Sequence, residues 1–491
     1  MKHAYRFDNK NFNIEELKQY IHTNRKLLLL YNNLRFLITN DKGLYKHVIY
    51  ASTTNCAKII CGMLNVLGLT SAYDNNHKSQ MQNVKCFSYL TMNNVYGKPL
   101  SKTLIKNIKN TFNERPDNIF GKNIMIMVID KYFKEGIDLF DVKYMHIFSK
   151  IVYDNEEEQI IGRIRRTCGH IGLPNGTKQI IYSYFPTVKS ETTFEKELTK
   201  VCYYSSIDYF ELQTIQDLLF GSFVKSLHSN FALNYSLSED VVDFKNKFFD
   251  KYSKLYSNDK SNCYGSFELT PTQRMLKDYF QPTLKIKGIL CWHYVGSGKT
   301  CLGLGVARNF IDKKYSVIWV SRGSLLKDIQ KNVDICYGKD KVDKKLIAVS
   351  YKTFTNLLQN KNKYARSNLE NTLIIIDEAH KLFDGSLSSL ESPDLNILRE
   401  AIKHKTCKLM LMTATPFISD PIQLIKLLNL ITDTKMPEDF SEFSKEYLED
   451  GVKFSYKGIN KFVSNIYKNI SYLNATKDNS MFAIQVKNDI I

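Results

Sequence analysis

The chain has 491 residues, 43% of them hydrophobic and 24% charged. That length suits two or three domains with sizeable cores, and that composition is that of a globular protein. Lysine and arginine total 68 against 50 acidic residues, a net charge of +18; this favours a polyanionic partner, and with no basic amphipathic anchor visible, nucleic acid ranks ahead of a membrane. No apolar run approaches the ~18 residues of a membrane span, and Met1–Lys10 lacks the apolar core of a secretory signal. Ten cysteines without a C-x-x-C pair or zinc-type cluster read as reduced core thiols in an intracellular compartment.

Residues 12–40 place Leu17, Tyr20 and Ile21 on one side and Glu15, Glu16 and Lys18 on the other, so residues 1–40 are expected to be an N-terminal helical segment. KHVIYAS (46–52), FSYLT (87–91) and KNIMIMVID (122–130) read as strands, with a helix over 57–68 between the first two. Strands alternating with helix-period segments predict a parallel α/β domain over 41–199. Near its end, QIIGRIRR brings Gln159, Gly162, Arg163 and Arg166 within about two helical turns. On a helix, Arg163 and Arg166 share a face through their i, i+3 spacing. Two guanidiniums presented together suit the spread charge of a phosphoryl-transfer transition state. An isolated R-x-x-R is more often a solvated basic face; EGIDL (135–139) and the stretches downstream favour the catalytic reading. Residues 200–264 form a helical and polar linker, whose aromatics over 243–262 are expected to pack against a neighbour rather than stack on bases.

The domain over 265–435 opens with LTPTQ, ending at Gln273, and then GILCWHYVGSGKT (288–300). An apolar run, a loop with Gly296 and Gly298, then Lys299 and Thr300 ahead of a helix-compatible stretch, is the order that a nucleoside triphosphate site needs. The glycines let backbone N–H groups face phosphates, Lys299 reaches the terminal phosphates, and Thr300 can hold Mg²⁺. The pattern G-x-x-x-x-G-K-[ST] would place glycine where this chain has His293. SVIWVS (316–321) and LIAVSYKTF (346–354) supply further strands. LIIIDEAH (373–380) is a buried strand ending in Asp377 and Glu378, one carboxylate to hold Mg²⁺ through water and a second to polarise the attacking water. KLMLMTATP (408–416) is another, ending in Thr413 and Thr415. Together the three strand ends indicate an ATPase core. Residues 436–491 read as a C-terminal tail.

On these residues the chain resembles superfamily 2 helicase-like ATPases of the DEAH-box type. Gly296 to Thr300 matches motif I, with Val295, Ser297 and Gly298 in the phosphate loop; Asp377 to His380 matches motif II; Thr413 to Thr415 matches motif III. Gln273 looks like the adenine-contacting glutamine. Gly136 and Asp138, in Glu135-Gly-Ile-Asp138, match motif V, and Gln159 to Arg166 matches motif VI. More narrowly, the chain is similar to transcription ATPases of large cytoplasmic DNA viruses, among them the poxvirus early transcription factor small subunit, nucleoside triphosphatase I and giant-virus relatives. In that group an H-x-x-G-S/T-G-K-T loop is usual. The resemblance covers roughly 40–185 and 265–435.

It implies two RecA-like domains with ATP and Mg²⁺ in the cleft between them. Arg163 and Arg166 would stabilise the transition state, and His380, Thr413 and Thr415 would couple hydrolysis to domain movement. It further implies a helicase or translocase acting on RNA or DNA in viral transcription or, alternatively, a non-unwinding ATPase subunit that times initiation or termination. Viral RNA polymerase or transcription factors would be partners, the host cytoplasm and the virion its locations, and a monomer is favoured over an obligate dimer. One feature departs from the family: motifs V and VI precede motifs I–III, so the two domains stand in permuted order, and the ATP site could close within one chain or between two.

Overall fold

The computed structural model describes residues 6–72, 85–95, 98–133, 137–151, 154–184, 193–206, 239–256, 268–337, 345–359, 369–403, 406–417, 420–473 and 483–489. The chain divides into two compact units, Met1–Ser190 with Asp478–Ile491, and Glu191–Lys477. Each is an α/β layer structure built on a parallel sheet.

In the first unit the N-terminal segment is two helices, Ile14–Thr23 and Arg25–Asn40. They break at Asn24, whose side chain caps the second helix by accepting from Leu27 N–H. Leu17, Ile21, Leu27, Leu30 and Leu34 face the core. The sheet has seven strands in the order Gln485–Asp489, Gln179–Ser183, Val142–Ile147, Lys46–Tyr50, Ile126–Ile129, Cys86–Leu90 and Thr70–Ser71, all parallel. Lys46–Tyr50 is buried along its whole length, as a central strand covered on both faces must be.

The second unit has six parallel strands, in the order Leu346–Ser350, Ser316–Ser321, Thr372–Asp377, Lys408–Thr413, Gly288–His293 and Ile470–Leu473. Alternation across the pleat explains its unbroken apolar runs. Ile374, Ile376, Leu409 and Leu411 enter one core, while Leu373, Ile375, Met410 and Met412 enter the other. On that second side Gly303 lies so close to Trp319 that a Cβ there would stand 2.6 Å from the indole. The glycine lets the helix Lys299–Asp312 settle onto the sheet.

Three features differ from the sequence reading. The helix Thr193–Ser205 packs Phe194, Leu198 and Val201 into the second unit's core, so the division between units falls near 190 rather than 199. The segment set apart as a tail supplies an edge strand to each sheet, Ile470–Leu473 to one and Gln485–Asp489 to the other. Cys168 is disulfide-bonded, against the expectation of reduced thiols; spacing along the chain does not reveal which sulfurs a fold brings together. Among the described residues seven other cysteines take part in no disulfide. In the helix Glu239–Tyr256, Phe248 and Tyr252 are buried against Tyr279, with ring centroids 5.5 and 6.5 Å apart, which is the packing role expected of them. Among the described residues no helix is long and apolar enough to cross a membrane.

Candidate nucleotide-binding site

In the second unit, Lys408–Thr413 lies between Thr372–Asp377 and Gly288–His293. Its register sets Met412 beside Asp377 and Thr413 beside Trp292. Because the strands are parallel, the three motifs emerge side by side at the C-terminal ends of the strands.

The chain leaves Gly288–His293 through Tyr294 and Val295, turns at Gly296 and Gly298 (φ 88° and 76°), and enters the helix Lys299–Asp312. Left-handed backbone at both positions calls for glycine. At Gly298 a Cβ would also stand 2.5 Å from Gln273 Nε2. Among the described residues no side chain caps the helix N-terminus, and the buried Ser297 hydroxyl has no hydrogen-bond partner. An uncapped N-terminus beside an unpaired buried hydroxyl is chemically suited to phosphate oxygens. Lys299 Nζ donates to the carbonyls of His293 (2.9 Å) and Tyr294 (3.2 Å), and Thr300 follows it, half-buried, in the first helical turn.

Gln273 sits in the first turn of the helix Pro271–Tyr279, which opens with a capping box formed with Thr270. Its Oε1 accepts from Thr270 N–H at 2.9 Å, and its Nε2 donates to the carbonyls of Ser297 (3.3 Å) and Gly298 (3.1 Å). The glutamine thus pins the phosphate loop to the preceding helix.

His293 is buried, and its Nε2 lies 2.9 Å from Ser471 Oγ on the neighbouring edge strand. Burial, with Lys299 as the lesser cause, lowers its pKa to about 3, so the imidazole is neutral.

Asp377 closes its strand and accepts from Ser321 Oγ at 3.2 Å. Desolvation, and next the charge of Glu378, raise its pKa to about 7; Lys299, the Ser321 hydroxyl and the Glu378 N–H oppose this. Glu378 is a non-glycine residue at φ 53°, a costly conformation held by the Tyr351 hydroxyl, which donates to the carbonyls of Asp377 (2.8 Å) and Glu378 (3.2 Å). His380 Nδ1 lies 2.9 Å from Thr413 Oγ1 and 3.5 Å from Glu378 Oε2. Thr413 Oγ1 accepts from Thr415 N–H at 3.1 Å, and the Trp292 indole donates to Ala414 O at 3.1 Å. Motifs II and III are therefore joined by a hydrogen bond, and the strand that leads into motif I is tied to motif III by the Trp292 indole as well as by pairing. Among the described residues no group of three or more His, Cys, Asp or Glu could hold a metal by itself. Thr300 and Asp377 suit instead a magnesium ion that keeps water and phosphate in most positions.

In the first unit the helix Asp154–Ile161 ends before the arginines, which corrects the helical face expected for Arg163 and Arg166. Gly162 follows at once, and the chain turns. The two side chains converge all the same. Arg163 is buried and donates to Gln159 O (3.0 Å) and Ile137 O (3.5 Å). Arg166 donates to that same Ile137 carbonyl at 2.9 Å and pairs with Asp138 at 2.5 Å, while its buried Nε has no partner among the described residues. Leu139 N–H closes the loop on Arg163 O at 2.9 Å. Gln159 is buried on the last turn of the helix. Gly136 lies outside the described residues.

Five residues that hydrogen-bond to these groups or to their neighbours carry no motif signal: Ser321, Tyr351, Trp292, Ser471 and Gln485. Gln485 accepts from Arg165 Nε at 2.8 Å and donates to Gln179 Oε1 at 3.1 Å, and Gln179 Nε2 holds the carbonyls of Val142 (3.2 Å) and Ile164 (3.0 Å). In sequence His293 stood out as a departure from the glycine of the pattern, and nothing local pointed to Ser471, 178 residues away.

Residues 266–418 match a family described as type III restriction enzyme, res subunit, a helicase-family domain. A putative ATP-dependent RNA helicase of Acanthamoeba polyphaga mimivirus is 27% identical over 254 residues, 44% of this chain and 42% of that protein. A termination factor NPH-I homolog of African swine fever virus is 23% identical over 284 residues, 52% of this chain and 39% of its own. The early transcription factor 70 kDa subunit of rabbit fibroma virus is 25% identical over 210 residues, 41% and 31% respectively. The chain thus spans less than half the length of each of these relatives.

Proposed function

We propose that this protein is an ATP-dependent nucleic-acid helicase or translocase of viral transcription. The observation that carries the proposal is the row of three parallel strand ends, which sets an uncapped, glycine-bounded helix N-terminus beside Asp377 and Glu378. Loop N–H groups and Lys299 would bind the triphosphate, with Lys299 exchanging its two carbonyl partners for phosphate oxygens. Thr300 and Asp377 would hold Mg²⁺, which when bound neutralises charge on the phosphate oxygens. Asp377 gives up its proton to do so. Glu378, aimed by its left-handed backbone, orients the attacking water and accepts its proton. Arg163 and Arg166 complete the site as transition-state cations, which requires Arg166 to leave Asp138. His380, Thr413 and Thr415 carry the change in phosphate occupancy to the sheet edge. In this reading the domains are permuted, and ATP lies between the two units. Nucleic acid is held mainly through its backbone, so binding is salt-sensitive and sequence-tolerant.

The names of two relatives, a termination factor and an early transcription factor subunit, favour a second reading, an ATPase that times a polymerase complex without unwinding. ATPase and strand-displacement assays with single-stranded and duplex RNA and DNA test both. Hydrolysis stimulated by nucleic acid is expected, with strand displacement under the first reading and none under the second. Lys299→Ala is expected to cut turnover by a factor on the order of 10² or more with its fold intact. Turnover within twofold of wild type removes the phosphate loop from the mechanism.

A further inference from the structure

Nucleotide loops of the form G-x-x-x-x-G-K-[ST] begin with a glycine because the backbone there must turn closely beneath the phosphates. This chain has an imidazole at that position, and the structure shows what accommodates it. His293 ends the central strand Gly288–His293 and points into the protein, 2% exposed. Its Nε2 meets Ser471 Oγ at 2.9 Å, across a separation of 178 residues. Ser471 is 1% exposed and lies on the parallel edge strand Ile470–Leu473, where it pairs with Cys291 while Leu473 pairs with His293. The hydroxyl is therefore placed by backbone pairing on the same strand that carries the histidine. The carbonyl of His293 is one of the two that hold Lys299 Nζ, so the residue fixed by Ser471 also sets the lysine's resting position.

We propose that Ser471 is a positioning residue for the phosphate loop. It acts through the His293 imidazole, an edge-strand hydroxyl doing the work that the first glycine does in other loops. The inference rests on the nucleotide-binding reading above and adds a residue to that site. Without the hydroxyl, a buried ring nitrogen has no partner, and a desolvated unpaired nitrogen is relieved by moving. The first loop residue and the docking carbonyl of Lys299 would move with it.

Equilibrium binding of a fluorescent ATP analogue with Mg²⁺, alongside steady-state ATPase kinetics, tests this on the full chain. Ser471→Ala is expected to weaken nucleotide binding by about 10-fold, with kcat at saturation changed by less than about threefold. Ser471→Thr, which keeps the hydroxyl, is expected within about twofold of wild type, and Ser471→Cys, a weak donor of similar size, between the two. In a His293→Gly background the same Ser471→Ala change should cost less than about twofold, because the group it served is gone. Two results overturn the inference: wild-type affinity in Ser471→Ala, or an equal loss with and without His293. The second would mean that the serine merely stabilises the edge strand. If Ser471→Ala does not fold, wild-type affinity in Ser471→Cys overturns the inference in its place. Failure of the wild-type chain itself to bind nucleotide would instead refute the proposed function.

Discussion

Asp377 gives the sharpest pH test of the proposed site. Its carboxyl is raised from 3.8 to about 7, first by desolvation and then by the neighbouring Glu378 charge. A native pKa above the unfolded value means that the folded protein prefers the protonated form. Its contribution to stability is full below pH ~4 and is lost as pH rises through about 7. Metal binding runs the opposite way, because Mg²⁺ needs the carboxylate. Below pH 7 the ion must displace one proton, so its apparent affinity should fall about tenfold per pH unit, some 30-fold by pH 5.5. Above pH 7 the dependence should flatten. Mg²⁺ titrations of nucleotide binding between pH 5.5 and 8.5, corrected for the nucleotide's own protonation measured in buffer, give the profile directly. Glu378→Gln removes the second-largest cause of the shift and should move the bend to lower pH. Affinity independent of pH from 5.5 to 7, or a bend that Glu378→Gln leaves in place, would refute this assignment of Asp377.

Glu378→Gln should keep nucleotide affinity within about threefold while hydrolysis falls by roughly 10²–10⁴; equal loss of both would make Glu378 a structural residue or a metal ligand. Arg166→Ala should lower kcat by on the order of 10³–10⁵ with little change in nucleotide affinity. A mixture of Arg166→Ala and Lys299→Ala chains should stay inactive if each site closes within one chain, and recovered activity would show that sites form between chains. Arg115 makes two hydrogen bonds, 2.6 and 2.9 Å, to Asp141, whose side chain is fully buried and also accepts from Gly172 N–H. Arg115→Ala should therefore cost about 3 kcal/mol in urea unfolding of the first unit, and a loss under ~1 kcal/mol would show that Gly172 N–H and water suffice.

The parts of the fold legible in the sequence are those whose signal is local. Thr372–Asp377 and Lys408–Thr413 announce themselves as unbroken apolar runs, because a central parallel strand is covered on both faces. The side chains proposed as catalytic stand where those runs stop, so their positions could be read with the strands. The arginines of QIIGRIRR were legible in type but not in geometry. Their common target is the Ile137 carbonyl, and helical spacing says nothing of a backbone oxygen more than twenty residues upstream. Ile470–Leu473 and Gln485–Asp489 were illegible for a similar reason. The first is short, and the second, QVKND, is polar. What makes each a strand is the open edge of a sheet formed by distant residues. The left-handed turn at Glu378 left no trace either, since nothing in DEAH asks for glycine.

The strand Gln485–Asp489 has a consequence during synthesis. Its partner, Gln179–Ser183, leaves the ribosome early, whereas the bond between Gln485 and Gln179 joins residues 306 apart. At roughly 5–20 residues per second, translation of the intervening chain takes about 15–60 s. Throughout that interval the nascent first unit presents a row of unpaired N–H and C=O groups, the kind of edge on which other chains add strands. The strand made later then closes the sheet begun earlier, with Lys487 reaching Glu157 and Glu158 from that same strand. A ribosome stalled anywhere between would hold a first unit with an adhesive edge, so a segment made some three hundred residues later decides whether that edge is covered.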